Sequence, residues 1–271
     1  MKGPRILTVG EPFWTKGGTP VYAKEFLEAN HINIPDVESS AQGVARVRQQ
    51  IHDGADGIKI FAGSIERDGI LLMPLDEAKA IVAEAHREGR PVFAHPSNGK
   101  GIEIAIQAGV DVLAHPSTDG NPFTPSLIER MKTAHMALIP TLTLLDVEGR
   151  KGNMRPADID RWIDMAVQEV KSYSEAGGQI LFGTDVGYID QFDTTEEFTL
   201  MSRAGMDFRQ ILSSLTINPA GRFGFTTHSG RIAKGMDADL VVLRADPSLD
   251  PSAFAKVKYT IRGGELIHSE P

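Results

Sequence analysis

The sequence predicts an α/β protein: an incomplete TIM-type (β/α) barrel of about six βα units, followed by a small C-terminal β appendage. Three observations lead there. Short runs rich in Val, Ile and Leu alternate with helical patterns, the signature of parallel βα units. After about residue 224 the helical patterns stop and short strand-like runs follow one another at close spacing. The length, 271 residues, is close to the roughly 250 typical of such a barrel.

The first predicted strand is 5–9 (RILTV). A helix is predicted over about 39–53, where Val44, Val47 and Ile51 recur at spacings of three and four. The second strand is 57–61 (GIKIF). The helix over 75–88 opens after Pro74 and stops at Gly89, the expected punctuation. The third strand is 91–94, and its helix, 101–108, stops at Gly109. The fourth strand, 110–114, precedes a helix over 125–134. The fifth, 136–142, precedes a helix over 156–176, and the sixth, 179–182, precedes one over 208–216. No seventh or eighth unit follows. In the tail, 238–243, 256–261 and 265–268 read as strands, the last two joined by a turn at Gly263-Gly264. This divides the chain into a partial barrel, 1–224, and part of a small β-sandwich domain, 225–271.

Composition narrows the function. With 41% hydrophobic and 24% charged residues the chain is an ordinary globular protein. Against 28 Lys and Arg stand 36 Asp and Glu, a net charge of −8, and no basic block interrupts this balance. Nucleic acid is therefore not the expected partner; a small-molecule substrate is. No run is long enough to be a transmembrane segment. The absence of cysteine removes disulfides, thiolate metal sites and cysteine nucleophiles. Any metal must be held by His, Asp, Glu or Lys.

The tetrapeptide Ala-His-Pro-Ser occurs twice, at 94–97 and 114–117, each time directly after an apolar run. His95 and His115 are thereby placed at the C-terminal ends of consecutive parallel strands, the end where barrel enzymes build their sites. Each proline stops strand pairing and turns the chain into a loop. Local packing at a strand end is the bland alternative for either histidine. Asp185 holds the matching place after the sixth strand, in Gly183-Thr184-Asp185. It is either a cap for a following helix or a carboxylate at the barrel mouth, and two imidazoles with a carboxylate suit zinc or a similar divalent ion. Lys59 lies inside an apolar strand, where a buried ammonium is costly without a partner. It is either paired with a carboxylate or functional as a nucleophile, a phosphate ligand or a lysine carbamylated by carbon dioxide. Tyr188, Asn98, Thr118 and Thr143 are candidate substrate-binding residues at the mouth, each equally readable as surface. His31, His52, His86, His135, His228 and His268 carry no assigned chemistry.

Lys59, His95, His115 and Gly183-Thr184-Asp185, together with the tail segment GRIAKGMDADLVVL at 230–243, resemble the amidohydrolase superfamily. The resemblance is to its imidazolonepropionase-like and Xaa-Pro dipeptidase-like (prolidase-type) branch. It implies a metal-dependent hydrolase of amide or other carbon–nitrogen bonds. It further implies His95, His115, Asp185 and Lys59 as metal ligands, zinc as the ion, and a binuclear site where Lys59 is carbamylated. Metal-activated water would attack a carbonyl, with Asp185 as the catalytic proton shuttle.

One departure stands out. The family's first barrel strand carries His-x-His, and no His-x-His exists in this chain. The stretch 5–9 looks like the family's third strand, so the chain is expected to be a fragment or a shortened relative. An open barrel with exposed strand edges would favour a homo-oligomer. The alternative is a non-catalytic remnant or binding protein that keeps the fold without a complete metal site. A phosphate-binding barrel enzyme is a weaker third reading, because no loop has the required glycine spacing.

Overall fold

The computed structural model describes residues 3–117, 119–120 and 122–269. Thr118, one of the candidate mouth residues, lies outside them. The chain forms two compact units: Leu7–Leu138, and Ile139 onward together with the segment up to Ile6.

The first unit runs α1 (Val21–Ala29), α2 (Ser40–His52), β1 (Ile58–Phe61), β2 (Gly63–Glu66), β3 (Gly69–Leu72), α3 (Leu75–Arg87), β4 (Val92–His95), α4 (Gly99–Ala108), β5 (Val112–Ala114), α5 (Pro125–Thr133) and β6 (Ala137–Ile139). Its sheet has the order β1-β4-β5-β6. β1 and β4 are parallel, with Ile58 opposite Val92 and Phe61 opposite His95, and β4 and β5 are parallel, with Phe93 opposite Val112. This is the βαβ order that the alternating pattern demands. Ile58, Ile60, Val92, Ala94, Val112 and Leu113 are fully buried, and α3 and α4 cover the sheet with Ile81, Val82, Ala85, Ile102 and Ala105. Ends are capped as the residues dictate. Ser39 Oγ accepts from Gln42 N at the start of α2, and Gly109 closes α4 in the left-handed region (φ +83°). At the foot of the sheet Asp111 accepts from Val92 N at 2.8 Å, and His86 Nε2 lies 2.8 Å from the same carboxylate oxygen.

The predicted first strand is corrected. Residues 5–9 form no strand, and Ile6 is 80% exposed. The place beside β1 is taken by Phe13, which pairs with Ile60, donates to Lys59 O at 2.8 Å and accepts from Phe61 N at 2.8 Å. Phe13 and Trp14 bury their rings there, which the aliphatic run at 5–9 does not do.

The second unit contains α6 (Thr143–Lys151), α7 (Pro156–Glu175), β7 (Gln179–Ile180), α8 (Thr195–Arg203), α9 (Phe208–Leu215), α10 (Ile217–Arg222), β8 (Leu240–Leu243), a 3₁₀ turn (Pro251–Ala255), β9 (Val257–Arg262) and β10 (Glu265–Ser269). The last three strands form an antiparallel sheet in the order β10-β9-β8, as the tail pattern predicts. Its core lies around α7 and α8, where Val167, Val170, Tyr173, Phe198 and Met201 are buried. No helix among the described residues is long and apolar enough to cross a membrane.

Candidate active site

In the first unit, three of the sequence-selected residues meet. His95 is the last residue of β4 and His115 follows β5, so pairing of these strands brings the two rings edge to face with centroids 4.8 Å apart. Phe61, opposite His95 on β1, stacks on its imidazole at 4.8 Å and 22°. Trp14 meets Phe61 edge-on at 5.7 Å, and Lys59 Nζ lies 5.7 Å from the Phe61 ring centre. The site is thus walled by aromatic surface.

That wall decides the charge state of the histidines. Burial and the Lys59 ammonium push His95 down to about 3. Burial, then the neighbouring His95 and Lys59, push His115 well below the ordinary histidine value. Both imidazoles are therefore neutral at pH 7, the form that binds a metal ion. His95 Nε2 is buried and has no hydrogen-bond partner among the described residues. An unpaired buried nitrogen costs about 1–3 kcal/mol, and a cation bound through it would remove that cost. Two neutral imidazoles are donors of the kind a divalent ion takes. Among the described residues, however, no group of three or more His, Asp or Glu is gathered as a ready cation site.

The backbone around the histidines is held by close approach. Gly63 and Gly101 both face the Pro96 carbonyl. A Cβ on Gly63 would stand 2.5 Å from that oxygen, and one on Gly101 would collide with it outright. Ser97 Oγ donates to Gly63 O at 2.9 Å, and Ser97 itself takes φ +58°. His115 also lies in the left-handed region, at φ +74°, away from any helix terminus. Strain of this kind in a non-glycine residue persists only where the surroundings over-determine it. Asn98, selected as a mouth residue, has its Oδ1 committed to Gly101 N at 2.8 Å as the cap of α4.

In the second unit, Asp185 follows buried Thr184 at an exposed position with φ +63°. No helix starts there. Tyr188 N and Ile189 N both donate to Asp185 O, at 3.1 and 3.2 Å, closing a tight turn. Asp185 therefore caps no helix; the next one starts at Thr195. Tyr188 is 39% exposed, and Lys151 of α6 lies over it with its Nζ 4.7 Å from the ring centre. Burial and the carboxylates of Glu148 and Asp185 push its phenol upward. Thr143 is buried at the first turn of α6. One residue escaped sequence reading. Glu197 of α8 is fully buried and accepts from Leu142 N at 2.9 Å and Thr143 N at 2.8 Å. Burial pushes its carboxyl up to about 7 against the pull of those two donors. Its sequence signal is its spacing: Glu197 stands four residues before Met201, on the helix face that Phe198 and Met201 bury.

These elements, strand ends and tail are those of one family. The profile of the Amidohydrolase family matches residues 3–267, and the chain belongs to that family. It is 28% identical over 245 residues to the ochratoxinase of Aspergillus niger, a match covering 84% of this chain and 50% of that protein. It is 27% identical over 243 residues to an uncharacterized protein of Mycobacterium bovis, covering 86% of this chain and 63% of the relative. The chain therefore spans about half to two thirds of the length of these curated relatives. Among solved structures it resembles a Xaa-Pro dipeptidase with bound methionine in its active site, with a TM-score of 0.84 at 25% identity over 99% of this chain and 69% of the other. The A. niger ochratoxinase structure superposes with a TM-score of 0.82 at 24% identity, over 98% and 67% of the two chains.

Proposed function

We propose that this protein is a metal-dependent hydrolase of amide or other carbon–nitrogen bonds. The observation that carries the reading is the pair of neutral imidazoles, His95 and His115, at the ends of adjacent parallel strands, with a buried His95 nitrogen left unpaired. Family membership and the names of the relatives, ochratoxinase and Xaa-Pro dipeptidase, support it. The dipeptidase name points to a dipeptide bond as one substrate class to try first.

In this reading His95, His115, Lys59 and Asp185 hold zinc at one or two positions, within a barrel domain (1–224) that precedes part of a β-sandwich (225–271). A bound divalent ion supplies Lewis acidity, lowering the pKa of water towards about 7 and polarising the scissile carbonyl. The neutral imidazoles donate lone pairs without first losing a proton. Lys59 as an ammonium depresses both histidines and opposes a cation. Condensing its amine with carbon dioxide, with release of a proton, gives a carbamate of opposite sign, which favours the cation. Asp185 accepts the proton of the attacking water and passes it to the leaving nitrogen. Tyr188 and Asn98 are proposed at the substrate, Asn98 through the amide edge not used in capping.

The second reading, a non-catalytic member of the family, is favoured by the lack of a three-ligand cluster among the described residues. Metal analysis of the purified chain separates the two. One or more equivalents of zinc, lost in His95→Ala and Asp185→Ala, with hydrolysis of a dipeptide panel, supports the hydrolase. Absence of bound ion and of hydrolysis after adding zinc or manganese establishes the alternative.

A further inference from the structure

The start of α6 is capped from a distance. Leu142, at its N-cap position, offers no side-chain acceptor; Leu144 N and Leu145 N turn back to Thr141 O and Leu142 O, and the amides of Leu142 and Thr143 go to a distant acceptor. The cap is Glu197, 55 residues further on, fully buried and bonded to Leu142 N and Thr143 N through separate oxygens. A serine at position 142 would cap the helix without burying a charge. What a distant cap adds is a fixed relation between α6 and α8.

That relation leads to Asp185 by two routes. Phe198, the next residue, stacks on Phe182 at 4.6 Å and 18°, and Phe182 is the residue before Gly183-Thr184-Asp185. Phe182 is itself tied by its amide to Ser214 O at 3.1 Å. By the other route, the far turn of α6 holds Tyr188, with Lys151 over its ring and Glu148 in hydrogen-bond contact with its hydroxyl. Tyr188 in turn donates its amide to Asp185 O. Consecutive residues of α8 therefore grip both the segment that enters the Asp185 turn and the helix that holds its exit.

We propose that Glu197 is a positioning residue for the Asp185–Ile189 turn: together with Phe198 it locks α6 and the segment leading to Asp185 into one arrangement. Its relevance to catalysis rests on the reading of Asp185 as proton shuttle; the mechanical coupling does not. Phe198 also touches Phe254 of the C-terminal 3₁₀ turn at 5.3 Å, so the tail braces the same helix from behind.

Hydrogen exchange measured by mass spectrometry on the full chain tests the coupling without requiring activity. Glu197→Gln should speed exchange about tenfold in peptides covering both 141–145 and 185–190, while Ile163→Val, a matched destabilisation in α7, leaves 185–190 at the wild-type rate. Phe198→Leu, which does not touch the cap, should loosen 141–145 as well, and decides the matter should Glu197→Gln not fold. Loosening confined to the segment each variant contacts overturns the proposal. Where the wild type hydrolyses a substrate, Glu197→Gln should lower kcat about 10- to 100-fold, the range for groups that orient a site residue, with KM little changed. A wild type without activity removes the hydrolase reading but leaves the exchange result to judge Glu197.

Discussion

His95 and His115 meet edge to face at 4.8 Å because β4 and β5 lie side by side and parallel, each leading into the same tetrapeptide, Ala-His-Pro-Ser. Pairing two buried neutral imidazoles has a consequence for acid stability. Both have a folded pKa below the unfolded value near 6.5, so the unfolded chain binds more protons below that pH. Their contribution is fully present above pH 6.5 and is lost as pH falls towards the depressed folded values, about 3 for His95. Urea midpoints of metal-free protein should therefore drop between pH 6.5 and 4, each histidine adding up to about 1.4 kcal/mol per pH unit. His115→Asn should make that dependence shallower. An equally steep profile in the variant would assign the acid sensitivity elsewhere.

The loop after His95 has no room for a methyl group. Gly63→Ala and Gly101→Ala each push on the Pro96 carbonyl, which is backbone and cannot swing aside. Each should cost about 1–3 kcal/mol in chemical denaturation and weaken zinc binding measured by competition with a chelator. Gly221→Ala, where a Cβ meets nothing within 4 Å, should show neither effect.

Asn98 caps α4, so Asn98→Ala should lower stability by about 1 kcal/mol, and Asn98→Asp should recover it. A role at the substrate adds a separate signature: a raised KM in Asn98→Asp despite full stability. KM unchanged in that variant confines Asn98 to capping.

Phe254 is buried against Phe198 of α8. Phe254→Ala should cost about 3–5 kcal/mol, as for other buried phenylalanines. Loss of the tail's contribution would then be seen as a single cooperative transition shifted to lower denaturant. A separate early transition, leaving α8 intact, would show instead that the tail melts independently.

How much of this was legible in the chain differs from element to element. The helix at 75–88 and the tail strand at 256–261 are observed within a residue or so of their predicted spans, as Leu75–Arg87 and Val257–Arg262. Pro74, Gly89 and the Gly263-Gly264 turn are local signals that act on their own backbone. The helices α1, α6 and α8 were not legible. None of α1's residues is buried. α6 contains Gly149, a poor helix former placed where a Cβ would stand 2.6 Å from Ile159 Cγ1. α8 buries Glu197 where the pattern calls for an apolar residue. The hairpin of β2 and β3 was missed for a similar reason, since Gly63 and Gly69 dilute its alternation.

By itself the sequence determined the alternation of strands and helices, the β tail, and the placing of His95 and His115 at neighbouring strand ends. These follow from periodicity and punctuation, which depend on residues a few positions apart. Only the tertiary structure decided that Phe13 rather than the run at 5–9 lies beside β1, that Asn98 caps a helix, and that Glu197 reaches back to α6. Those outcomes depend on which surfaces are buried together and which amides are left without a partner once they are. Both quantities come into being only when segments distant in the chain have met.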